Sequence, residues 1–256
     1  MKAFIAFFKK EWMAQLRSGK LLMLIILFVL FGIMNPAIAK LTPYLIEALS
    51  QSMADSGMSI TIGEITALDS WVQFFKNMPM ALTTFLLIQS NLFTQEYESG
   101  TLILSLTKGL KRYKVLFTKA MILMLLWTIG YWLCFGITYG YNMYYWDNTI
   151  ALNLFLAVIC WWVFGLWCIS LLVLCSSFAS SNTTVLTGIL TMILLCYAIS
   201  FIPQISEYIP TYLMDGNSII YGIQQVEGYH KALLVSIGFM VINYMVSLKL
   251  FQQKQL

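Results

Sequence analysis

The sequence is poor in charge and in the side chains that carry acid–base or metal chemistry. Only 10% of its 256 residues are Asp, Glu, Lys or Arg, and it has one histidine, His230. It has no HExxH motif, no paired carboxylates on one helix face and no plausible Ser-His-Asp set, so an enzyme is disfavoured. A GxxxxGK[ST] motif is also absent, which excludes ATP binding to this chain through a P-loop.

The cysteines predict no site either. No two of the five form a CxxC pair and no Cys/His cluster exists, so neither a metal site nor a disulfide framework is predicted. All five fall within long apolar runs, where a free thiol packs as a small hydrophobic group. Those runs hold no Asp, Glu or Lys at mid-depth, which disfavours ion-driven transport by this chain alone. The cysteines are Cys134, Cys160, Cys168, Cys175 and Cys196.

The chain has long hydrophobic runs instead. Hydrophobic residues make up 60% of it, against about 45–50% in globular domains. A helix needs about 20 apolar residues to cross the hydrocarbon layer, whereas a β-barrel would show short alternating segments. The sequence therefore predicts an all-α integral membrane protein, with residues 1–256 forming one transmembrane domain of six helices. The predicted spans are about 21–39, 78–94, 115–140, 150–175, 185–203 and 232–250.

The distribution of Lys and Arg predicts the orientation. The first twenty residues hold five of them, the 94–119 segment holds five and the C-terminal end holds two. The segments on the other side hold only Lys40, Lys76 and Lys231. Because the side with more Lys and Arg faces the cytoplasm, both termini are predicted to be cytoplasmic, in a multi-pass protein of the plasma membrane. No soluble basic domain exists, so nucleic acid is not an expected partner.

Residues 2–17 predict an amphipathic helix that lies in the lipid headgroup plane. At about 100° per residue its aromatic side chains fall on one arc and its basic side chains on the adjoining arc. Glu11 and Gln15 interrupt the apolar edge, so the pattern is imperfect. The alternatives are a solvated tail and a cleavable signal peptide, and the long basic region disfavours cleavage. The residues assigned to the interfacial helix are Phe4, Phe8, Lys9, Lys10 and Trp12.

The segments predicted on the outer side are partly helical. Thr42-Pro43 fits an N-cap followed by proline at the first helical position, which predicts a short helix over 43–54. Asp69-Ser70 offers a second cap, for a helix that runs into the second span. Residues 204–231 are too apolar for a free loop and too rich in Pro and Gly for a span. A pair of short helices dipping into the outer leaflet is expected there.

One short cytoplasmic connection, QEYESGTLILSLTKGLKRYK, carries acidic, apolar and basic residues together. Gly100 permits a sharp exit from the second span, Thr101 can cap a short helix over 102–108, and Gly109 suits its left-handed end. An apolar patch framed by charges is typical of a docking surface for another protein. A loop resting on lipid headgroups is the alternative. The residues assigned to docking are Glu96, Glu98, Gly100, Thr101, Leu102, Leu104, Leu106, Lys108 and Arg112.

This stretch resembles the loop between the second and third spans of ABC-type permease subunits with the type-2 (type V) exporter fold. The departures are Ile103, Gly109 and Thr118, where an acidic residue, proline and glycine are common. The layout is similar too: a basic interfacial helix, six spans and broken outer helices before the last span. The matching residues, without a gap, are Glu96, Gly100, Thr101, Leu102, Leu104, Leu106, Arg112 and Lys119.

The resemblance implies a non-catalytic permease subunit of a bacterial ATP-driven exporter. Such a permease is half of a dimer, whose other half is an identical copy or a related chain. The segment 102–108 would be a coupling helix seated on a separate ABC ATPase subunit. ATP and Mg would bind that subunit, and this chain would bind no cofactor or metal. A membrane scaffold or immunity protein that sequesters a peptide without pumping it is the alternative from another class.

The same resemblance places the second and fifth spans along a central path. A lining that is mostly apolar, with scattered amides and hydroxyls, suits a hydrophobic or amphipathic substrate such as a peptide or drug-like molecule. Exporters of phenol-soluble-modulin peptides and of peptide antibiotics are natural comparisons. The residues assigned to the path are Phe85, Gln89, Asn91, Phe93, Thr187, Thr191 and Tyr197.

Overall fold

The computed structural model describes residues 2–53, 64–98, 100, 107, 111–179 and 181–253. In that part of the chain every regular element is a helix. The α-helices are α1 (Lys2–Arg17), α2 (Lys20–Met53), α3 (Ala67–Gln89), α4 (Asn91–Glu98), α5 (Arg112–Tyr145), α6 (Leu154–Phe178), α7 (Asn182–Ile199), α8 (Gly216–Ile220) and α9 (Val226–Gln253). Short 3-10 segments occupy Asn148–Ile150, Ser206–Tyr208 and Pro210–Met214.

The helices form two groups around α6. α2 packs most extensively against α3 and α5, and α6 packs most extensively against α9. In its most apolar stretch, 83% of the residues of α6 are buried within the chain, against 17% in α9 and 11% in α7. α6 is therefore the centre of the bundle, whereas the described chain covers very little of the surface of α7.

Aromatic side chains join α5 to α6. Tyr131 donates its hydroxyl to the Val158 carbonyl at 2.7 Å, and Trp127 donates its indole N–H to the Trp162 carbonyl at 3.2 Å. A Cβ atom placed on Gly165 would lie 2.2 Å from the Trp127 ring. The absence of a side chain at Gly165 is therefore what allows the indole to lie flat against α6, in line with the use of small residues at membrane helix contacts.

The predicted short helix over 43–54 is wrong as a separate element. α2 runs without a break from Lys20–Met53 and contains both Pro36 and Pro43. The side chain of Thr42 does not cap a new helix, because its hydroxyl donates back to the Ile38 carbonyl at 2.8 Å. Thr42-Pro43 predicts the start of a helix, but in membrane helices proline is tolerated inside the helix when neighbouring groups satisfy the freed carbonyls.

The carbonyl freed by Pro36 is satisfied by the neighbouring helix α5. Proline lacks the N–H that would bond to the Gly32 carbonyl four residues earlier. The Thr138 hydroxyl donates to that carbonyl at 3.0 Å, and it accepts a hydrogen bond from the Asn35 side-chain amide at 3.1 Å. The Asn77 amide donates to the Asn35 side-chain oxygen at 2.8 Å. This chain of hydrogen bonds links α2, α5 and α3 near Pro36 of α2.

The second predicted span is displaced and interrupted. Its helix begins earlier than predicted, at Ala67, and the Asp69 carboxylate accepts the Thr66 amide N–H at 2.9 Å from the third helical position instead of acting as the N-cap. The apolar run 78–94 is then divided at Ser90, between α3 and α4. Polar residues in its first half lower the mean hydropathy of α3 below that of a clear span.

Five described helices are long and apolar enough to cross a membrane, and α3 is not among them. The five correspond to five of the six spans that the sequence predicts, with longer or shifted ends. They are the Lys20–Glu47 part of α2 together with α5, α6, α7 and α9.

The connection between α7 and α9 is folded onto the bundle end opposite to the Lys- and Arg-rich end. It contains three short helical segments, not the predicted pair. Trp161 of α6 donates its indole N–H to the Met214 carbonyl at 2.7 Å, and the Tyr229 hydroxyl donates to the Asp215 carbonyl at 3.2 Å. Leu213 and Ile220 are fully buried. The connection is thus packed against the bundle and hydrogen-bonded to it at these positions.

Candidate functional site: a buried polar junction at the basic end

α1 packs on the bundle at the end where most Lys and Arg residues lie, called the basic end below. Gly19, with a φ of +73°, forms the sharp turn between α1 and α2, and α1 lies against α5 and α2. The buried stripe of α1 consists of Phe7, Glu11 and Gln15, spaced by four residues. The two polar residues that interrupt the predicted apolar arc are therefore the ones that face the bundle.

Glu11 forms a buried ion pair with Lys119 of α5. The carboxylate lies 3.5 Å from the Lys119 ammonium, and the two residues are 4% and 1% exposed. Lys10 also pairs with this carboxylate from the surface, at 3.0 Å. The Lys119 ammonium donates to the Leu92 carbonyl at 2.7 Å and lies 5.3 Å from the centre of the Phe93 ring. Both charges thus have several partners, which a buried ion pair needs in order to offset desolvation.

Two further contacts connect α1 and the start of α2 to the break between α3 and α4. The Gln15 and Gln89 side chains exchange two hydrogen bonds, at 3.3 and 3.2 Å. The Lys20 ammonium donates to the Asn91 side-chain oxygen. We define the polar junction as the six side chains that make these contacts and the ion pair. They are Glu11, Gln15, Lys20, Gln89, Asn91 and Lys119.

The residues predicted to line a path on the second span lie inside the subunit. Phe85, Gln89 and Phe93 are buried by the chain's own side chains. Asn91 is half-buried, and its side-chain oxygen accepts a hydrogen bond from Lys20. In this arrangement Gln89 and Asn91 belong to the polar junction, and their role in a path stays a prediction.

The path residues predicted on the fifth span lie on the exposed surface of α7. Tyr197 is 53% exposed, and Thr187 and Thr191 are exposed as well. The hydroxyls of both threonines donate to carbonyls of α7 itself, at 3.0 Å and 2.8 Å. The structure does not bring these three residues together with the α3 group, because α7 packs on α6 whereas α3 packs on α2.

Both ends of the predicted docking connection are attached to the bundle. At its start, the Tyr97 hydroxyl donates to the Ser176 carbonyl at the end of α6, at 3.1 Å. At its end, the Arg112 guanidinium donates to the carbonyls of Phe251 and Gln252, at 3.1 and 3.0 Å. A cation on the last carbonyls of a helix is favourable for both the hydrogen bonds and the helix dipole. Arg112 therefore caps α9.

Gly100 has a φ of +65°, the conformation that the sequence predicts for a sharp exit from the second span. A Cβ atom there would meet open space, so backbone geometry and not crowding favours glycine. The rest of the predicted docking set stays a prediction. Thr101, Leu102, Leu104, Leu106 and Lys108 lie outside the described residues, as do the side chains of Glu96 and Glu98.

The residues predicted for the interfacial helix lie on α1 outside its buried stripe. The Phe4 ring contacts the Phe117 ring of α5, with 6.1 Å between centroids, and Phe8 stacks with Trp12 at 6.4 Å. Lys9 is exposed. The position of this helix in the headgroup plane stays a prediction.

Sequence reasoning missed the polar junction, although one signal pointed to it. In the sequence, Lys119 matches the family pattern and Glu11 interrupts an amphipathic helix, and neither pattern indicates that the two side chains pair. A carboxylate on a helix next to apolar runs requires a cationic partner, and Lys119 is the lysine farthest into an apolar run from that end. Within the described residues no group of three or more His, Cys, Asp or Glu could hold a metal ion.

Comparison with known proteins identifies the family. The model of the family described as ABC-2 family transporter protein matches residues 5–256. No curated protein sequence matches the chain. Membrane components of this family generally pair with an ABC ATPase and are not themselves catalytic. Since the match covers nearly the whole chain and the described helices are those of a multi-pass membrane protein, the chain belongs to the ABC-2 transporter family, as a membrane subunit of an ABC transporter.

Proposed function

We propose that this chain is the permease subunit of an ATP-driven exporter, and that the polar junction transmits movement from a docked ATPase to the membrane helices. The observation that carries the proposal is the attachment of α1, α3, α4 and α5 to one another through a buried ion pair, paired amides and the hydrogen bond from Lys119 to the Leu92 carbonyl of α4. α4 leads directly into the connection assigned to docking, so a displacement of that connection would act on the junction.

The attachment of the connection at both ends supports a role in force transmission. Tyr97 and Arg112 connect it to the last turns of α6 and α9. A coupling helix held in this way would displace α6 and α9 together with α4 and α5, which flank it in the chain. A loop resting freely on lipid headgroups would displace none of these helices. Closure of an ATPase pair could then shift the population between two packings of the subunit.

The proposed complex contains two permease copies and two ATPase subunits in the plasma membrane, with both permease termini in the cytoplasm. The distribution of Lys and Arg supports this orientation. Six spans result if α3 and α4 together cross the membrane beside α2. The exposed surface of α7 supports a second permease copy, identical or related, because that face lacks a partner among the described residues and suits either lipid or another subunit.

A hydrophobic or amphipathic substrate is the class that α7 suits. Its exposed surface combines large apolar side chains with threonines whose hydroxyls are already bonded within the helix. Such a face offers little to an ion or a sugar, because few polar groups remain to replace the water of hydration. An amphipathic peptide would bury its apolar side against this surface of α7 and so remove it from water.

The proposal is tested by reconstituting the chain with the ABC ATPase that co-purifies with it. We expect an amphipathic peptide to stimulate ATP hydrolysis, and Gly100→Pro or Leu104→Asp to abolish the stimulation. The fixed φ of proline is incompatible with the left-handed backbone of Gly100, and an aspartate would disrupt an apolar docking patch. Tyr144→Asp is the matched control, because Tyr144 is exposed at the opposite end of the bundle.

Three outcomes would contradict the proposal. The first is that no ATPase co-purifies with the chain, as a scaffold or immunity protein that sequesters a peptide would behave. The second is peptide transport that persists unchanged in both docking variants. The third is a loss in Tyr144→Asp as large as in Leu104→Asp, because that would indicate a general effect on folding.

A further inference from the structure

A groove opens at the basic end between α1 and α9, both of which pack against α5. It has a volume of about 660 Å³ and is lined by two residues of α1, three of α5 and one of α9. Three of the lining residues are large and exposed: Ile5 at 60%, Phe117 at 53% and Tyr113 at 45%. A groove of this size lies within the about 300–1,000 Å³ range of small-molecule sites. The lining residues are Phe4, Ile5, Tyr113, Lys114, Phe117 and Leu248.

The groove is apolar along its walls and basic at one position. Lys114 lines it, is half-buried, and lies with its ammonium 6.0 Å from the centre of the Tyr113 ring. Among the described residues no carboxylate forms an ion pair with Lys114. Lys111, one turn before it, is exposed. The groove thus combines apolar surface for a hydrocarbon chain with a cation that lacks an anionic partner in the described structure.

Its depth in the membrane fits a lipid. The groove lies beside the start of α5 and the last turns of α9, where the apolar helices end and basic residues begin. Lipid headgroups occupy this level, and basic pockets between helices on the cytoplasmic side bind anionic headgroups. The aromatic ring of Tyr113 is amphipathic and suits the same level.

We propose that this groove binds one anionic phospholipid of the leaflet that faces the basic end. Phe4, Ile5 and Phe117 contact an acyl chain, and the Lys114 ammonium pairs with the phosphate. The lipid then fills the space between α1 and α5 beside the polar junction, and it holds α1 against the bundle. The proposal rests on the membrane placement given under Proposed function. It adds a specific lipid partner to that subunit.

The test measures lipid binding by the purified chain alone, without any ATPase. Native mass spectrometry would count the dioleoylphosphatidylglycerol molecules that the wild-type chain retains after exchange from detergent. Dioleoylphosphatidylcholine serves as the comparison lipid without net charge. Glycerol phosphate serves as the comparison ligand that has the headgroup but no acyl chains. We expect one phosphatidylglycerol to be retained in preference to the others. Lys114→Gln should weaken that affinity about fivefold, and Ile5→Trp, which fills the groove, should reduce retention of either lipid.

Lys76→Gln is the matched control, because Lys76 is an exposed cation at the opposite end of the bundle and does not line the groove. The affinity of this variant for phosphatidylglycerol should equal that of the wild type. Equal retention of phosphatidylcholine, equal retention of glycerol phosphate, or equal losses in Lys76→Gln and Lys114→Gln would each overturn the proposal. Because the measurement needs no ATPase, its failure leaves the exporter proposal standing, and failure of ATPase coupling leaves the lipid result standing.

Discussion

Breaking the Glu11–Lys119 ion pair from one side should destabilise the protein far more than removing both charges together. Lys119→Met leaves a buried carboxylate whose remaining cation, Lys10, reaches it from the surface. Removing one partner of a buried pair typically costs about 3–5 kcal/mol of the free energy of unfolding, and replacing both with apolar side chains is often neutral. The contact with Lys10 places the expected cost of Lys119→Met at the lower end, about 3 kcal/mol.

The opposite single variant should cost somewhat less. In Glu11→Leu the Lys119 ammonium keeps its hydrogen bond to the Leu92 carbonyl and its position over the Phe93 ring. The loss is then close to that of one hydrogen bond to a charged group, about 2 kcal/mol. The double variant leaves no buried charge and should lose only about 1 kcal/mol, instead of the sum of the single losses, so the coupling energy is about 4 kcal/mol in magnitude.

The free energy of unfolding can be measured by reversible SDS titration in mixed micelles, followed by tryptophan fluorescence. Lys9→Met, at an exposed lysine of the same helix, is the control and should change the free energy of unfolding by less than about 0.5 kcal/mol. The reasoning would be refuted by a double variant as unstable as the sum of the single variants. A Lys119→Met variant as stable as the wild type would refute it equally.

Variants at three further positions, two of them with a matched control variant, test contacts elsewhere in the bundle. Thr138→Val should lower the free energy of unfolding by about 1 kcal/mol, whereas Thr191→Val, whose hydroxyl bonds only within α7, should leave it unchanged in the same titration. Gly165→Ala should cost about 1–3 kcal/mol through its clash with an indole, whereas Gly136→Ala has open space around its Cβ and should cost nothing in the isolated subunit. Trp161→Phe should increase proteolysis of the 199–226 connection, because it loses the hydrogen bond at 2.7 Å.

The sequence predicts those parts of the fold that depend on hydrophobic length. Five of the six apolar runs correspond to helices able to cross a membrane, because a long run that must satisfy its backbone in lipid has only the helix available. The position of Gly100 at a sharp exit is likewise local, since a left-handed backbone favours glycine wherever it occurs.

The parts that the sequence does not predict depend on contacts between distant residues. Gln15 and Gln89 lie 74 positions apart, and nothing in the local pattern of either helix indicates that their amides pair. The continuity of α2 through Pro36 depends in the same way on a hydrogen-bond donor from α5. Hydropathy reports how far a segment favours lipid, but it does not report which polar side chains neutralise one another.

The hydrogen bond that replaces the one missing at Pro36 of α2 has a mechanical consequence for the subunit. The Gly32 carbonyl obtains its hydrogen bond from Thr138 of another helix, and no water is present at this depth to replace that donor. Separating α2 from α5 would therefore leave this carbonyl without a hydrogen bond in the hydrocarbon layer. We therefore expect α2 and α5 to move as one rigid body in any conformational change of the subunit.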